Sequence, residues 1–374
     1  MPSSPIVPAR AQLPEPSGLL AVFGTVPDPR HRRGVRHTLP SVLAVGAAAV
    51  LAYARSFAAI GEWVADQPGA ALARLGVPDG RRPEESTIRR AFARLDADAL
   101  DRAISAFLWT RTHRVQGRRV IAVDGKTVRG ARTGATGAPH LVAAFDHGSG
   151  AVLGQLAVAA KSNEIPAVRD LLAAFDLTGT VVTVDAMHTQ TDTAEFITAT
   201  GGHYVVTVNG NQPSLHAACK ALPWTEVPAH RTTETGHGRR ATRTLKVIDA
   251  PAWVGFASAA QIAQLRRTVT RAGKKSVEVV CLITSAGHRQ APPETLAPWI
   301  RGHWGIENRL HWVRDVTYDE DRSQIRTGSA PQVMVTLRNT AISLLRLTGT
   351  SNIAKALRHH ARHPGKAIEH LLTC

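Results

Sequence analysis

The chain is poor in cysteine. It contains three, Cys219, Cys281 and Cys374, and no two of them form a CxxC pair. This spacing supports neither a zinc knuckle nor a disulfide framework. Scattered free cysteines are typical of proteins in a reducing compartment. We therefore expect a cytoplasmic protein whose fold does not depend on cysteine chemistry.

A long apolar run is also missing. The most apolar stretch, Leu39–Ala54, contains Pro40, is followed by Arg55 and is shorter than the about 20 residues that a membrane helix needs. It is predicted to be a buried, alanine-rich helix. Residues 1–18 are polar and rich in proline, unlike a secretion signal, and are predicted to form a disordered arm. No membrane partner is expected.

Acidic residues are scarce relative to basic ones. The chain has 45 Lys and Arg against 29 Asp and Glu, giving a formal net charge of +16. One basic cluster is usually a solvated surface, but several clusters spread along a chain favour an extended polyanion as partner. The charge balance therefore favours nucleic acid, and hence a place on the nucleoid, over a small ligand.

The hydrophobic pattern divides the chain into helical and α/β regions. Residues 19–113 have helical spacing, and within them Ser86–Leu95 fits either a DNA-reading helix or an ordinary surface helix with a basic face. From residue 118 onwards, β-branched runs predict three strands, a helix, a strand, a helix and a strand. This order predicts an α/β sheet with an antiparallel opening.

The pattern changes again after residue 212. Short β-like runs predict a β-rich insertion, and helical spacing returns at Trp299–Val313 and Pro331–Leu347. The predicted organisation is an arm (1–18), a helical N-terminal domain (19–113), a first part of the core (114–212), a β-rich insertion (213–295), a second part of the core (296–348) and a basic C-terminal tail (349–374).

Two acidic residues, Asp124 and Asp185, each end a predicted buried strand. Because ligands of open α/β sheets bind at the carboxyl ends of strands, the two carboxylates are expected to lie close together. Two bare charges about 4 Å apart repel by about 4 kcal/mol at an effective dielectric of 20. The pair therefore implies a cation, a shared proton or a wider separation. A single aspartate after a strand is equally typical of a loop cap.

A third acidic residue, Glu307, lies in the predicted helix near the C-terminus. Helical spacing places His303, Leu310, His311 and Arg314 on the same broad face. Glu307 is either an ordinary partner of His303 or His311 or a functional carboxylate, because a glutamate flanked by Trp304 and Ile306 is unusual as simple surface charge.

Five motifs occur in the order found in one family of mobile-element proteins. They are Val26–Arg30, Asp124–Gly130, Lys161–Pro166, Thr183–Gln190 and His303–Tyr318. With them the sequence resembles the bacterial insertion-sequence DDE transposases of the insertion-sequence-four-like superfamily, in the H-repeat-associated branch, over roughly residues 19–347. The resemblance implies an α/β fold with an RNase H-like mixed-sheet catalytic core and a β-rich insertion, preceded by an all-helical N-terminal domain.

The resemblance also implies a reaction. Asp124, Asp185 and Glu307 match the catalytic carboxylates, which hold two Mg²⁺ or Mn²⁺ ions and cut DNA by phosphoryl transfer. The released 3′-OH is transferred to target DNA. The implied partners are double-stranded DNA, as transposon ends and as target, and a second copy of the chain in a homodimer on DNA.

Basic residues near these carboxylates are candidates for phosphate binding. They are Lys126, Arg129, His303 and Arg314. The sequence departs from the superfamily in this region, because its Tyr, Arg, Glu and Lys signature corresponds here to Ile300, His303, Glu307 and Arg314. Asn209 stands where the family often has lysine, which weakens a phosphate contact.

Three alternatives remain at this point. A catalytically silent, DNA-binding derivative of a transposase would have the same motifs. A tyrosine recombinase is suggested by His311 and Arg314, but Tyr318 follows too closely to be its nucleophile. A structural or membrane-surface protein would explain the positive charge but would leave the carboxylates without a role.

Overall fold

The β-branched runs form the strands of one large sheet. The computed structural model describes residues 18–33, 35–78, 81–112, 118–133, 137–158, 163–236 and 238–373, so the predicted arm lies outside the described residues apart from Gly18. The strands are β1 (Arg119–Thr127), β2 (His140–Asp146), β3 (Val152–Ala157), β4 (Thr180–Val184), β5 (His203–Val208), β6 (Ala229–Gly236), β7 (Arg239–Asp249), β8 (Gln261–Arg271) and β9 (Lys274–Thr284).

The sheet has nine strands in the order β3-β2-β1-β4-β5-β9-β8-β7-β6. The first three strands are antiparallel neighbours, whereas β1, β4 and β5 run parallel to one another. The predicted α/β sheet with an antiparallel opening is thus confirmed. Parallel strands bury both faces, which explains why β4 is a continuous apolar and β-branched run.

The insertion extends this sheet rather than forming a separate one. Strands β6 to β9 pair successively in antiparallel fashion, and β9 pairs with β5 from Val205 opposite Thr284 to Val208 opposite Cys281. The edge of β5 would otherwise expose unpaired backbone groups. Residues 213–295 are therefore β-rich, as expected, but are continuous with the core sheet.

Helices cover both faces of the core strands. They are α1 (Leu19–Gly24), α2 (Leu39–Leu51), α3 (Phe57–Asp66), α4 (Gly69–Ala73), α5 (Glu85–Arg94), α6 (Ala97–Arg111), α7 (Glu164–Leu172), α8 (Thr191–Ala199), α9 (Pro213–Lys220), α10 (Pro293–His303), α11 (Ala330–Leu347), α12 (Ile353–Arg362) and α13 (Pro364–Thr373). Helices α7 and α8 pack on one face, and α2, α6 and α11 contribute to the core on the other.

The N-terminal helices share their hydrophobic core with the C-terminal part of the chain. Helix α2 is almost wholly buried, as predicted, and lies in one cluster with α11 and with Ile306 and Leu310. A buried polar contact also joins α11 to α6, since Thr336 donates a hydrogen bond to Asp101 at 2.6 Å. Among the described helices, none combines the length and apolar character needed to cross a bilayer.

The end of the chain is folded. Residues 349–374 were expected to form a basic tail, but α12 and α13 pack against the helical core through Ile353, Leu357, Ile368 and Leu371. These apolar residues recur at helical spacing between the histidines and arginines. Arg358 and Arg362 occupy the outer face of this amphipathic pair of helices, whereas His360 is buried.

Candidate active site

The strand pairing brings Asp124 and Asp185 side by side. The last parallel pair of β1 and β4 is Val123 with Val184, so the two aspartates occupy the next position on adjacent strands and share one face of the sheet. Asp185 directly follows β4, as predicted. Asp124 does not end its strand, because β1 continues to Thr127 alongside β2.

Glu307 reaches the same region on an irregular helical segment. Helix α10 ends at His303, and a π-helical turn, Glu307–His311, follows, so the single helix predicted for Trp299–Val313 is interrupted. Ile306 and Leu310 are fully buried and anchor this turn in the helical core. π-Helical turns are rare and occur often at functional sites.

The three-dimensional arrangement joins Asp124 and Glu307 through a histidine. Nδ1 of His311 lies 3.5 Å from Oδ2 of Asp124 and 3.4 Å from Oε2 of Glu307. One ligand atom from each of the three residues fits within a mutual distance of 4.8 Å. Asp185 is not part of this group. Its Oδ1 accepts hydrogen bonds from the backbone N–H groups of Met187 and His188, at 3.1 and 3.4 Å.

The pKa values of Asp124 and Glu307 are shifted in opposite directions. Burial raises the pKa of Asp124 above its ordinary value, and Glu307 and Asp185 raise it further. The pKa of Glu307 is lowered, first by its interaction with His311. The half-buried Asp124 therefore disfavours its ionised form, whereas the ionised form of Glu307 is favoured. Clustered carboxylates of this kind suit a hard divalent cation, so the residues present fit the implied metal site.

Among the predicted phosphate contacts, Arg129 combines a permanent charge with exposure. Its side chain is 74% exposed and lies 3.7 Å from Asp321. Lys126 is 11% exposed and donates to Asp315 at 2.7 Å. Nδ1 of His303 is 3.1 Å from the Thr183 hydroxyl, and burial lowers the pKa of this histidine, which favours a neutral ring.

Arg314 has a different role from the one expected. It is fully buried, and its guanidinium donates to Glu320 at 2.5 and 3.0 Å. This leaves it no exposed donor for a phosphate. The expected phosphate contact of Arg314 is therefore replaced by a structural role, because its charge is already paired with Glu320 in the core.

A second polar cluster lies beneath Gly125, on the opposite face of the sheet. The two carboxylate oxygens of Glu164 form hydrogen bonds with Nε2 of His140 at 2.6 Å and with Nε2 of His188 at 2.8 Å. Burial opposes ionisation, but the two histidines hold the pKa of Glu164 at about 2. A Cβ atom on Gly125 would overlap Glu164 and His140, so glycine is required there. The cluster connects the chain after Asp185 to β2.

Sequence reasoning assigned no role to His311 or to this cluster. Glu164 and His188 do lie in two of the five motifs, which was the available signal. The sequence placed His311 on the same helical face as Glu307, as a possible partner of it, and gave no sign that His311 lies between two carboxylates.

The comparisons with known proteins identify the family. A family model described as the transposase DDE domain matches residues 115–344, which include Asp124, Asp185 and Glu307. The chain belongs to the DDE transposase family. A second model, for the domain associated with that DDE domain, matches residues 20–108 of this transposase.

Curated relatives cover nearly the whole DDE transposase chain. The protein named "Putative transposase YncI" of Escherichia coli O157:H7 is 32% identical over 88% of this chain and 87% of its own length. The "H repeat-associated putative transposase YhhI" of Escherichia coli K12 is 31% identical over 87% of this chain and 90% of its own. The predicted H-repeat-associated branch is thus confirmed.

A solved structure, that of the piggyBac transposase synaptic complex with hairpin DNA, resembles this chain only distantly. It aligns with a TM-score of 0.42 and 10% identity, over 94% of this chain and 76% of that one.

Proposed function

We propose that this transposase cleaves the ends of its own mobile element and transfers the released 3′-OH to target DNA. The observation that carries the proposal is the position of Asp124 and Asp185 side by side on β1 and after β4, together with the approach of Glu307 to Asp124. We further propose that the order β3-β2-β1-β4-β5, with the Glu307 segment packed against it, is an RNase H-like core that β6 to β9 extend.

Asp124, Asp185 and Glu307 would hold two divalent ions, Mg²⁺ or Mn²⁺. When bound, such ions activate the attacking water and stabilise the leaving 3′ oxygen at the scissile phosphate. The chain's own part is to hold its carboxylates at this sheet edge. Strand pairing fixes the two aspartates, and the buried Ile306 and Leu310 fix the turn that carries Glu307.

The DNA backbone would be neutralised by basic side chains around this edge. We retain Arg129, Lys126 and His303 as proposed phosphate contacts, with the exposed Arg129 the strongest of them. The net charge of +16 favours double-stranded DNA, both element ends and target, as the polyanion. Because two ends must be cut together, we propose a homodimer on DNA.

The test is cleavage of a labelled duplex that contains the element's own end, with Mg²⁺ or Mn²⁺. Asp124→Asn, Asp185→Asn and Glu307→Gln should each abolish nicking while duplex binding, followed by fluorescence anisotropy, stays nearly intact. Asp192→Asn is the matched control, because Asp192 is an exposed acid that pairs with Arg169 away from the site.

Two outcomes would count against the proposal. Near-normal cutting by any of the three variants would remove that residue from the catalytic set. Binding without cutting by the wild type under every divalent ion would favour the silent, DNA-binding derivative, which Asn209 in place of the usual lysine leaves as the second candidate.

A further inference from the structure

We infer that His311 is itself a ligand of the divalent ion shared by Asp124 and Glu307, through its Nδ1 atom. The inference rests on the proposed function and extends it, since the resemblance assigns only carboxylates to the metal. It also changes the expected metal preference, because an imidazole nitrogen suits Mn²⁺, Co²⁺ or Zn²⁺ better than Mg²⁺.

The distances at Nδ1 fit a ligand set. The atom lies 3.5 Å from Asp124 Oδ2 and 3.4 Å from Glu307 Oε2. Charge-assisted hydrogen bonds are shorter, at about 2.7–2.9 Å. Ligand atoms about 2.1 Å from one metal ion stand about 3.0 Å apart in octahedral geometry and about 3.4 Å apart in tetrahedral geometry. The contacts of His311 match the edges of such a polyhedron better than they match hydrogen bonds.

The surroundings hold the imidazole in this position. The His311 side chain is only 5% exposed, so it cannot turn away into solvent. Its neighbour in sequence, Leu310, is fully buried, and the π-helical turn places His311 and Glu307 towards the same point. His303, another nearby imidazole, is instead engaged with the Thr183 hydroxyl.

The competing role for His311 is to position the two carboxylates by hydrogen bonding without touching the ion. Both roles reduce cleavage when His311 is changed, so cleavage does not separate them. Direct detection of nitrogen on the metal does. Mn²⁺ is paramagnetic, and a directly bound imidazole nitrogen gives a hyperfine coupling that a more distant histidine does not.

The first experiment uses the wild-type full chain, loaded with Mn²⁺ in the absence of DNA and studied by pulsed electron paramagnetic resonance. A directly bound ¹⁴N coupling is expected, and it should change to the ¹⁵N pattern when histidine alone is ¹⁵N-labelled. This measurement does not depend on whether any variant folds. A wild-type spectrum without a coupling from a bound nitrogen would overturn the inference.

The second experiment identifies the histidine. His311→Asn, which keeps a polar atom near the position of Nδ1, should lose the nitrogen coupling and weaken Mn²⁺ binding by about tenfold or more in calorimetry. Mg²⁺ binding should weaken less. His303→Gln is the control and should keep the coupling. Loss of the coupling in His303→Gln but not in His311→Asn would show that His303 is the nitrogen ligand and would reject the inference.

Asp124→Asn distinguishes a failure of the proposed metal centre from a failure of His311 as its ligand. If Mn²⁺ binding requires Asp124 but shows no histidine coupling, the metal centre stands and the role of His311 as a ligand fails. If Mn²⁺ binding is indifferent to Asp124 and Glu307, the proposed function fails with it.

Discussion

Two acidic centres of this chain differ in burial and in charge balance. Glu320 is fully buried between Arg314 and Arg338, at 2.5 and 3.0 Å. Burial opposes its ionisation, but the two arginines hold the pKa of Glu320 at about 2. Around Asp124 and Glu307, by contrast, the partner is a histidine whose pKa is lowered by burial, which favours its neutral form.

The difference shows how charge balance distinguishes a structural carboxylate from a functional one. A buried carboxylate with two arginines is compensated within the chain and holds the segment after the π-helical turn against α11. A carboxylate such as Asp124, whose ionised form is disfavoured by burial and by neighbouring acids, lacks this compensation, which is typical of a functional site. The following predictions test this contrast, beginning with the largest expected effect.

Glu307→Gln should reduce DNA cleavage by about 10³-fold or more, since metal-assisted stabilisation of the transition state contributes several kcal/mol. Glu320→Gln, tested at a temperature where it stays folded, should retain measurable cutting. Single-turnover nicking at saturating Mg²⁺ distinguishes the two. Equal losses of cleavage in both variants would show that the two acidic centres do not differ in function.

Glu320→Gln should lower the free energy of unfolding by about 3–5 kcal/mol, because it leaves two buried arginines without their carboxylate. Urea denaturation measures this, with Glu307→Gln as the comparison and a much smaller change expected. The effect should depend on pH. The folded pKa of Glu320 is about 2 against an ordinary value of 4.5.

A lowered pKa stabilises the fold above the unfolded value and loses that contribution as pH falls through the folded value. The gap between wild type and Glu320→Gln should therefore be full above about pH 4.5 and narrow between pH 4.5 and pH 2. A gap that does not change with pH would show that the carboxylate charge is not responsible.

A divalent metal ion should stabilise the wild type against unfolding but should not stabilise a variant that lacks the Asp124 carboxylate. At 100 times its dissociation constant, a ligand of the folded state adds about 2.7 kcal/mol. Thermal unfolding with and without Mn²⁺ should show this gain, and chelation should remove it. Asp124→Asn should show little gain. A full Mn²⁺ effect in Asp124→Asn would place the metal elsewhere.

Arg129→Ala should have the smallest effect. It should reduce the slope of log binding constant against log salt by about 1, the value of one phosphate contact, without changing stability much. Arg314→Lys should do the reverse, lowering stability while leaving the slope unchanged, since Arg314 is buried. Anisotropy titrations at several salt concentrations would decide, and an effect of Arg314→Lys on the slope would contradict the structural role assigned here.

Local patterns were sufficient for the core strands and for the position of Asp185 directly after β4. The run Thr180–Val184 is β-branched and apolar, and Asp185 after it follows from strand periodicity alone. The insertion was harder, because β6 and β8 are half exposed and contain many polar residues. Strands of this kind form because neighbours pair with them, and pairing over long distances leaves little trace in a local window.

By itself, the sequence determined the basic character of the chain, the alternation of strands and helices and, through its motifs, the family. These depend on composition and on contacts between near neighbours. Only the tertiary structure decided that β9 completes the edge of β5, that Arg314 is buried against Glu320, and that His311 stands between Asp124 and Glu307. The pairing of β9 with β5 and the contact of His311 with Asp124 join parts of the chain that are far apart in sequence. Strand pairing and side-chain packing decide which parts meet, and neither is encoded in a local pattern.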